Sequence, residues 1–521
     1  MNTLHWHDYS YYPYERDLAR REMFALLGLS NCDLSDTSIR LPRWVDTEAA
    51  ERLTYFSHVN GTHGSTLTMQ ARLEQAARNG HSRQSTRYSV HGLHEYKGKF
   101  NPQVAKSILN IFGIARGNRV LDPFCGSGTT LVECSHIGAT SVGTDINPLA
   151  AFVANAKLIA LSTPTAVLRQ EFSELWLRFS RLKNPQLPRD ETARGAYLRA
   201  WFDEKQLAWI EALLAIIKAH CRTRGDVFLA VASNLLRDYS GQDPSDLRIR
   251  RRTSPLPELS FRNAFQAACN RFFDRLESTQ LVLGTHEYPT ARAIVSDIRE
   301  VSKSKVGGLF DAAITSPPYA TALPYIDTQR LSLVWLGLCN PEEIGPLDGA
   351  LIGSREMARR EQRAMMQELT LNGSKLPSQE ISLCRNLAQA LGPNDGFRRQ
   401  AVPTLIYRYM RSMRDSFRSV SRLLRDGAPY ALIVGHNHTV LSGVRFDIDT
   451  PSHLASLAQS VGWRVEEALP LQTYRRYGLH AANAVEAETL LILRNGNSKQ
   501  LASNLPWWSK PCREPTGTSS N

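Results

Sequence analysis

Hydrophobic and polar positions fall into two rhythms along this chain. Between residues 118 and 161, short apolar runs alternate with stretches of helical spacing. NRVLDPF (118–124) is an apolar run ending in a turn, and TTLVECSHIG (129–138) follows with helical spacing. TSVGTDI (140–146) is a second apolar run, and NPLAAFVANAKLIAL (147–161) is again helical. Strand and helix alternating through short loops predict right-handed βαβ units and a parallel sheet. The rhythm pauses over 162–285, where EFSELWLRFSRL, EKQLAWIEALLAIIKAH and NAFQAACNRFFDRLE read as helices around a basic loop. It resumes at ARAIVSDI (291–298), FDAAITSPPY (310–319), YALIVG (430–435) and ETLLILRN (488–495), each a candidate buried strand.

The flanking segments read differently. Residues 1–60 are rich in aromatics, with a helix near Asp17–Leu27. Residues 61–90 are Gly/Ser/Thr-rich and read as a linker carrying one short helix. Residues 341–400 form a second interruption, rich in Arg, Gly and Pro, and 497–521 read as a disordered tail. The expected architecture is therefore an α/β, Rossmann-like doubly wound domain. It is assembled from 91–161, 286–340 and 401–496, with a largely helical insert at 162–285 and a second insert at 341–400.

Composition narrows the class. Apolar residues make up 42% and charged residues 21% of the 521, as in an ordinary globular protein. The net charge of +12 suits either a polyanionic partner or a solvated basic surface. Eight cysteines are scattered without a CxxC pair, which suggests neither a zinc site nor a disulfide framework. The first 30 residues do not read as a signal peptide, and no apolar run is long enough to span a bilayer. The expected compartment is reducing and cytoplasmic, with no membrane partner.

The chemistry concentrates in LDPFCGSGTT (121–130), where a strand turns into a helix. Gly126 and Gly128 let backbone approach a ligand, and Thr129–Thr130 begin a helix with free N–H groups. Neither GxxxxGK[ST] nor GxGxxG is present. The turn begins instead with Asp122, whose carboxylate repels a phosphate and attracts an ammonium group. Asp145, at the end of the second apolar run, is placed to accept hydrogen bonds from two ribose hydroxyls. A ligand with a ribose, an amino group and no phosphate suits both acids, as S-adenosylmethionine does.

With TSPPY (315–319) added, these residues resemble the S-adenosylmethionine-dependent DNA amino-methyltransferases, which modify cytosine N4 or adenine N6. HGLHEYKGKFNPQVAKSIL (91–109) resembles that family's cofactor-flanking segment. Residues 430–466 and 488–494 resemble the later part of its catalytic domain. The likeness covers 91–160 and 290–340, and more loosely 400–495.

The resemblance implies a class I methyltransferase fold acting on a base extruded from double-stranded DNA. Ser316 and the Pro317 carbonyl accept the substrate amine, Pro318 stiffens the turn, and Tyr319 stacks on the base. Asp122, Pro123, Phe124, Gly126, Gly128, Thr129, Thr130, Asp145 and Asn147 surround the cofactor. Lys99, Phe100, Asn101 and Pro102 lie at its methionine end, although Asn101–Pro102 also read as an ordinary helix start. Asp297 receives the cofactor's adenine amine or caps a helix. Serine at the first position of the turn is more typical of cytosine-N4 enzymes. The cofactor segment precedes the catalytic one, the reverse of many N4 enzymes. Adenine N6, an RNA base and a non-catalytic DNA-binding subunit are the alternative readings. A restriction–modification role extends from the family, with a cognate nuclease or other defence protein as companion. The only Pro-Cys pair, Pro511-Cys512, has no strand before it, which argues against cytosine C5 chemistry.

Basic clusters complete the reading. RIRRR (248–252) supplies Arg248, Arg250, Arg251 and Arg252 as DNA contacts, and REMARREQR (355–363) supplies Arg359 and Arg360. Arg408, Arg411, Arg414, Arg418, Arg422 and Arg425 form one helical stripe, read either as a phosphate track or as a solvated face. Tyr409, Met413, Phe417, Val420 and Leu424 line its buried side. His436 and His438 read as rim residues of the pocket rather than metal ligands, and TYRRYG (473–478) reads as a loop near the base.

Overall fold

A computed structural model describes residues 2–29, 38–61, 64–75, 84–246, 248–284, 288–320, 326–472 and 487–496. Thr321–Tyr325, the loop 473–478 and the tail 497–521 lie outside the described residues.

The N-terminal residues form an antiparallel sheet of β1 (Asn2–Trp6), β2 (Ser38–Leu41), β3 (Phe56–Gly61) and β4 (Gly64–Leu67), in the order β2-β1-β3-β4. The apolar runs fold as β5 (Arg119–Asp122), β6 (Thr140–Asp145), β7 (Ala291–Val295), β8 (Ala312–Thr315) and β9 (Pro429–Gly435). A hairpin follows, β10 (Asn437–Leu441) with β11 (Val444–Ile448), then β12 (Arg464–Gln472) and β13 (Ala487–Arg494). The main sheet runs β12-β13-β9-β8-β5-β6-β7. Its strands β7, β6, β5, β8 and β9 are parallel, and β13 is antiparallel to both neighbours. This is the doubly wound class I methyltransferase order. The chain leaves β5 to one side for β6 and returns on the other as β8, so the crevice opens at the carboxyl ends of β5 and β8. Those ends carry Asp122 and Thr315-Ser316.

The first 75 residues are part of the core rather than an appendage. Helix Pro13–Leu27 buries Leu18, Ala19, Met23 and Leu27 beside Ile108 and Leu109 of helix Pro102–Ile111. The same cluster includes Ala312, Ile314, Ile433 and Ile492, so this layer closes one face of the main sheet. Arg21 clamps it to β12 with two bonds to Glu467, at 2.6 and 2.7 Å. The expected linker at 61–90 is corrected accordingly. Within it, β4 pairs with β3, and helix Met69–Gln75 is largely buried. Its polarity misleads because its polar side chains satisfy one another in the interior. Gln70 donates to Glu74 at 2.8 Å, Gln103 donates to Glu74 at 3.1 Å, and Lys106 donates to Gln70 at 3.1 Å.

The first insert folds into helices Thr165–Ser180, Ala193–Trp201, Glu204–His220, Gly225–Leu235 and Phe261–Leu283 around Phe172, Phe228, Phe265 and Phe273. Trp335, fully buried in the same cluster, joins the insert to the catalytic domain. Trp335→Ala should lower stability by about 3–5 kcal/mol, measured as a shifted denaturation midpoint.

The arginine stripe divides: Arg418 and Arg422 are exposed, as a solvated face has it, whereas Arg408, Arg411 and Arg414 are held by protein partners. On helix Val402–Leu423, Tyr409, Met413, Phe417 and Val420 are buried as expected. Arg408 bonds the Ser354 and Glu356 carbonyls and pairs with Glu361. Arg411 pairs with Glu368 at 2.9 Å, and buried Arg414 donates to the Ser374 carbonyl. These side chains dock the second insert, including helices Arg359–Leu371 and Ser378–Gln389, onto the catalytic domain. Arg425 lies beyond the helix end and pairs with Asp311.

Candidate active site

The turn after β5 is shaped by two glycines in the left-handed region, Gly126 at φ +48 and Gly128 at φ +82. A Cβ on Gly128 would stand 2.8 Å from the Ala154 Cβ, and one on Gly126 would stand 3.3 Å from the Tyr96 ring. The turn is tied to β6 by Cys125 N donating to the Thr144 carbonyl and by Thr144 Oγ1 donating to the Pro123 carbonyl. Gly126 N donates to Asp145 Oδ2 and Asn147 N to Asp145 Oδ1, each at 2.9 Å. Asp145 therefore stands beside the glycine turn with one backbone donor on each oxygen. Thr129 and Thr130 are buried in the first turn of helix Thr129–His136, while Phe124 is half-buried.

Asp122 is 1% exposed. Its Oδ1 accepts from Thr315 Oγ1 at 2.6 Å and from Phe124 N at 3.2 Å. Its Oδ2 is buried without a hydrogen-bond partner, and so is Ser127 Oγ. No basic side chain forms an ion pair with either acid among the described residues. Burial pushes the Asp122 carboxyl up to about 6, opposed by its Thr315 bond. Burial also pushes Asp145 up to about 6, against the two backbone donors. The site thus offers acidic acceptors without a counter-charge and a glycine cradle that side chains would fill. This donor and acceptor set fits a cofactor with an ammonium group and a ribose.

Other expected cofactor residues have firm local partners. Asn147 caps helix Pro148–Ser162 through Leu149 N, and its amide donates to Gln329 Oε1 at 2.5 Å. Asn101 caps helix Pro102–Ile111, Pro102 is its first residue, and Phe100 packs beside the core. Lys99 Nζ donates to the Thr86 carbonyl at 2.8 Å. Burial, together with Arg87 and Arg275 nearby, brings its ammonium down to about 8 against the pull of Glu133. Asp297 caps a short helical turn and holds the Arg299 guanidinium with both oxygens.

The SPPY turn lies alongside the end of β9. Ser316 Oγ donates to the Ile433 carbonyl at 3.0 Å. Pro317 is buried, whereas Ser316, Pro318 and Tyr319 are partly exposed. The Tyr319 hydroxyl donates to Glu488 Oε1 at 2.5 Å, and its ring packs on Gly435. The Asp122–Thr315 bond ties the glycine turn to the residue preceding Ser316. Cofactor turn and SPPY turn are thereby brought together.

The basic clusters lie in the two inserts. Arg248, Arg250 and Arg251 are exposed, and Arg252 is half-buried. Arg250 pairs with Asp246, Arg251 stacks on Trp201, and Arg252 bonds the Gln242 and Pro255 carbonyls. Arg359 lies over Phe397, and Arg360 is exposed. His436 faces Asp449 at 3.4 Å, an acid partner that sequence spacing did not suggest.

Several site residues carried no motif signal. Tyr96 is half-buried over Gly126, near Asn147 and Gln329. Tyr88, His91, Glu133 and His136 form a buried cluster. Glu133 accepts from Tyr88 at 2.8 Å and bonds His91 at 2.6 Å and His136 at 3.2 Å. Among the described residues, His91, Glu133 and His136 are the one group spaced to hold a metal ion. Their mutual bonds and those from Tyr88 and Ser89 already account for most of their polar atoms.

Because Asp122 and Asp145 hold protons until about pH 6 in the fold, and release them near pH 4 when unfolded, the free protein should lose stability as pH rises through that window. A ligand bound by the ionised acids should bind more tightly with rising pH, by up to about tenfold per unit for each acid. Melting scans and calorimetry at matched pH values check both directions.

The DNA methylase family matches residues 52–155. The chain is 49% identical over 70 residues to the Type II methyltransferase M.MjaII of Methanocaldococcus jannaschii, a match covering 13% of each chain. It is 26% identical over 296 residues to M.MvaI of Kocuria varians, covering 52% of this chain and 63% of that one. It is 24% identical over 404 residues to M.AvaI of Anabaena variabilis, covering 73% and 80%. The chain thus spans less than two thirds of the first two relatives. Family match and relatives support an S-adenosylmethionine-dependent amino-methyltransferase of the N4/N6 DNA type.

Proposed function

We propose that this chain is a site-specific DNA methyltransferase that transfers a methyl group to the exocyclic amine of a flipped base, with cytosine N4 as the target. The observation that carries this reading is the hydrogen bonding of the SPPY turn. Ser316 gives its only proton to the Ile433 carbonyl, so its oxygen can offer a ligand nothing but lone pairs. Pro317 and Pro318 have no N–H to donate. The Ser316 hydroxyl and the two prolines therefore present acceptors only, matched to a group with two N–H donors and mismatched to a carbonyl. Binding an –NH2 through both hydrogens fixes the direction of the nitrogen lone pair. The Asp122–Thr315 bond ties that direction to the cofactor turn.

S-adenosylmethionine, when bound, supplies a methyl on a sulfonium that departs as a neutral thioether. Asp145 would hold the ribose hydroxyls, Asp122 would face the ammonium, and Lys99 would stand at the methionine end. What remains for the chain is alignment and charge placement. Tyr319 stacks on the extruded base. Serine ahead of Pro-Pro supports cytosine N4 over adenine N6 by family likeness. The exposed arginines Arg248, Arg250, Arg251, Arg359 and Arg360 contact phosphates, which makes binding weaken steeply with salt. The Type II designation of the relatives supports a restriction–modification setting with a companion nuclease.

The test is transfer of labelled methyl from S-adenosylmethionine to duplex DNA and, in parallel, to RNA. Label in DNA alone supports the reading. Label confined to RNA contradicts it, as does no label from protein that binds the cofactor.

A further inference from the structure

Tyr319 is gripped from a distant part of the chain. Its hydroxyl donates to Glu488 Oε1 at 2.5 Å, within the range of a charge-assisted O–H···O⁻ bond. Its ring lies so close to Gly435 that a Cβ there would meet Cε2 at 2.9 Å and Cζ at 3.0 Å. Gly435 and Glu488 are directly paired across β9 and β13, so both contacts are fixed by the register of the sheet. The backbone is held as well. A Cβ on Gly353 would come within 2.4 Å of the Tyr319 carbonyl oxygen, and the Asn437 amide donates to the Ala320 carbonyl. Glu488 is half-buried, and among the described residues no basic side chain pairs with it.

We propose that Glu488 is a positioning residue for base capture: it sets the tilt of the Tyr319 ring. This rests on the reading of Tyr319 as the stacking platform given above. A tyrosine ring has two rotatable bonds. Gly435 blocks one face without fixing rotation, and the bond at the far end of the ring fixes it. A platform held this way meets an extruded base without first being ordered by it, which favours the aligned complex. Glu488 touches neither base nor cofactor in this account and acts through Tyr319 alone.

A double-mutant cycle on the full chain tests this. The variants are E488A, E488Q, Y319F and Y319F/E488A. The substrate is genomic DNA from a host lacking DNA methylation, and cofactor affinity is read by calorimetry. E488A should lower kcat by about tenfold, as expected for coupled neighbours, with cofactor affinity unchanged. E488Q, which keeps an acceptor, should recover most of the loss. Y319F should reproduce the loss, and E488A should add nothing to it. An equal E488A effect in the Y319F background would overturn the proposal, as would an E488Q no better than E488A. Should E488A fail to fold, E488L, which also removes the acceptor but fills the space, takes its place in the same cycle. Wild-type protein that methylates DNA while the cycle shows no coupling overturns this inference alone. Wild-type protein that methylates no DNA overturns the parent reading and this one with it.

Discussion

Ser316→Ala should lower the single-turnover rate of methyl transfer about a hundredfold, the scale of a lost alignment, while cofactor affinity stays within about twofold. The hydroxyl is proposed to accept one amine hydrogen, and its geometry is set by its own bond to the Ile433 carbonyl. Alanine removes the acceptor from the substrate and a donor from that carbonyl. The second loss costs about 1 kcal/mol of stability and is read separately by melting. Rate and affinity should therefore part company, because Ser316 lies at the end of β8 and the glycine turn retains all its bonds to β6. Full activity in this variant would remove Ser316 from the proposed mechanism. Tyr319→Ala should show the same split, with KM for DNA rising as well.

Asp145→Ala should have the opposite signature: S-adenosylmethionine affinity falls about tenfold to a hundredfold, as expected for hydrogen bonds to a charged group. Part of that loss is local. Asp145 accepts from Gly126 N and Asn147 N, so its removal leaves two backbone donors unpaired and frees the turn that cradles the ligand. Asp145→Asn retains an acceptor and should fall between. Calorimetry with S-adenosylmethionine and with S-adenosylhomocysteine measures both variants. An alanine variant that binds either ligand as the wild type does would place the ribose elsewhere.

The parts of this molecule legible from sequence are those whose signal is local. The apolar runs of β5, β6, β8, β9 and β13 are largely buried strands that need no partner to be recognised, whereas β7, expected buried, is an edge strand with Arg292 and Val295 exposed. The glycines of DPFCGSGTT reveal a backbone bend that side chains could not make. What could not be read depends on distant pairing. The N-terminal strands are short and partly polar, and their role appears only when helix Pro13–Leu27 covers the main sheet. Helix Met69–Gln75 looked like linker because its buried polar groups find partners more than ten residues away. Arg408 and Arg411 read like the solvent-facing Arg418 and Arg422 of the same stripe because their carboxylate and carbonyl partners sit in the second insert. Glu488 lies 169 residues from Tyr319 and carries no motif.

The central claim is amino-methylation of a DNA base at the SPPY turn. Nucleoside mass spectrometry of genomic DNA tests it most directly, using a methylation-free host expressing the chain or its Ser316→Ala variant. Cells expressing the wild type should carry N4-methylcytosine, and those expressing the variant little or none. N6-methyladenine in its place would keep the enzyme and overturn the cytosine assignment. Neither mark, from cells whose soluble protein binds S-adenosylmethionine, would contradict the claim.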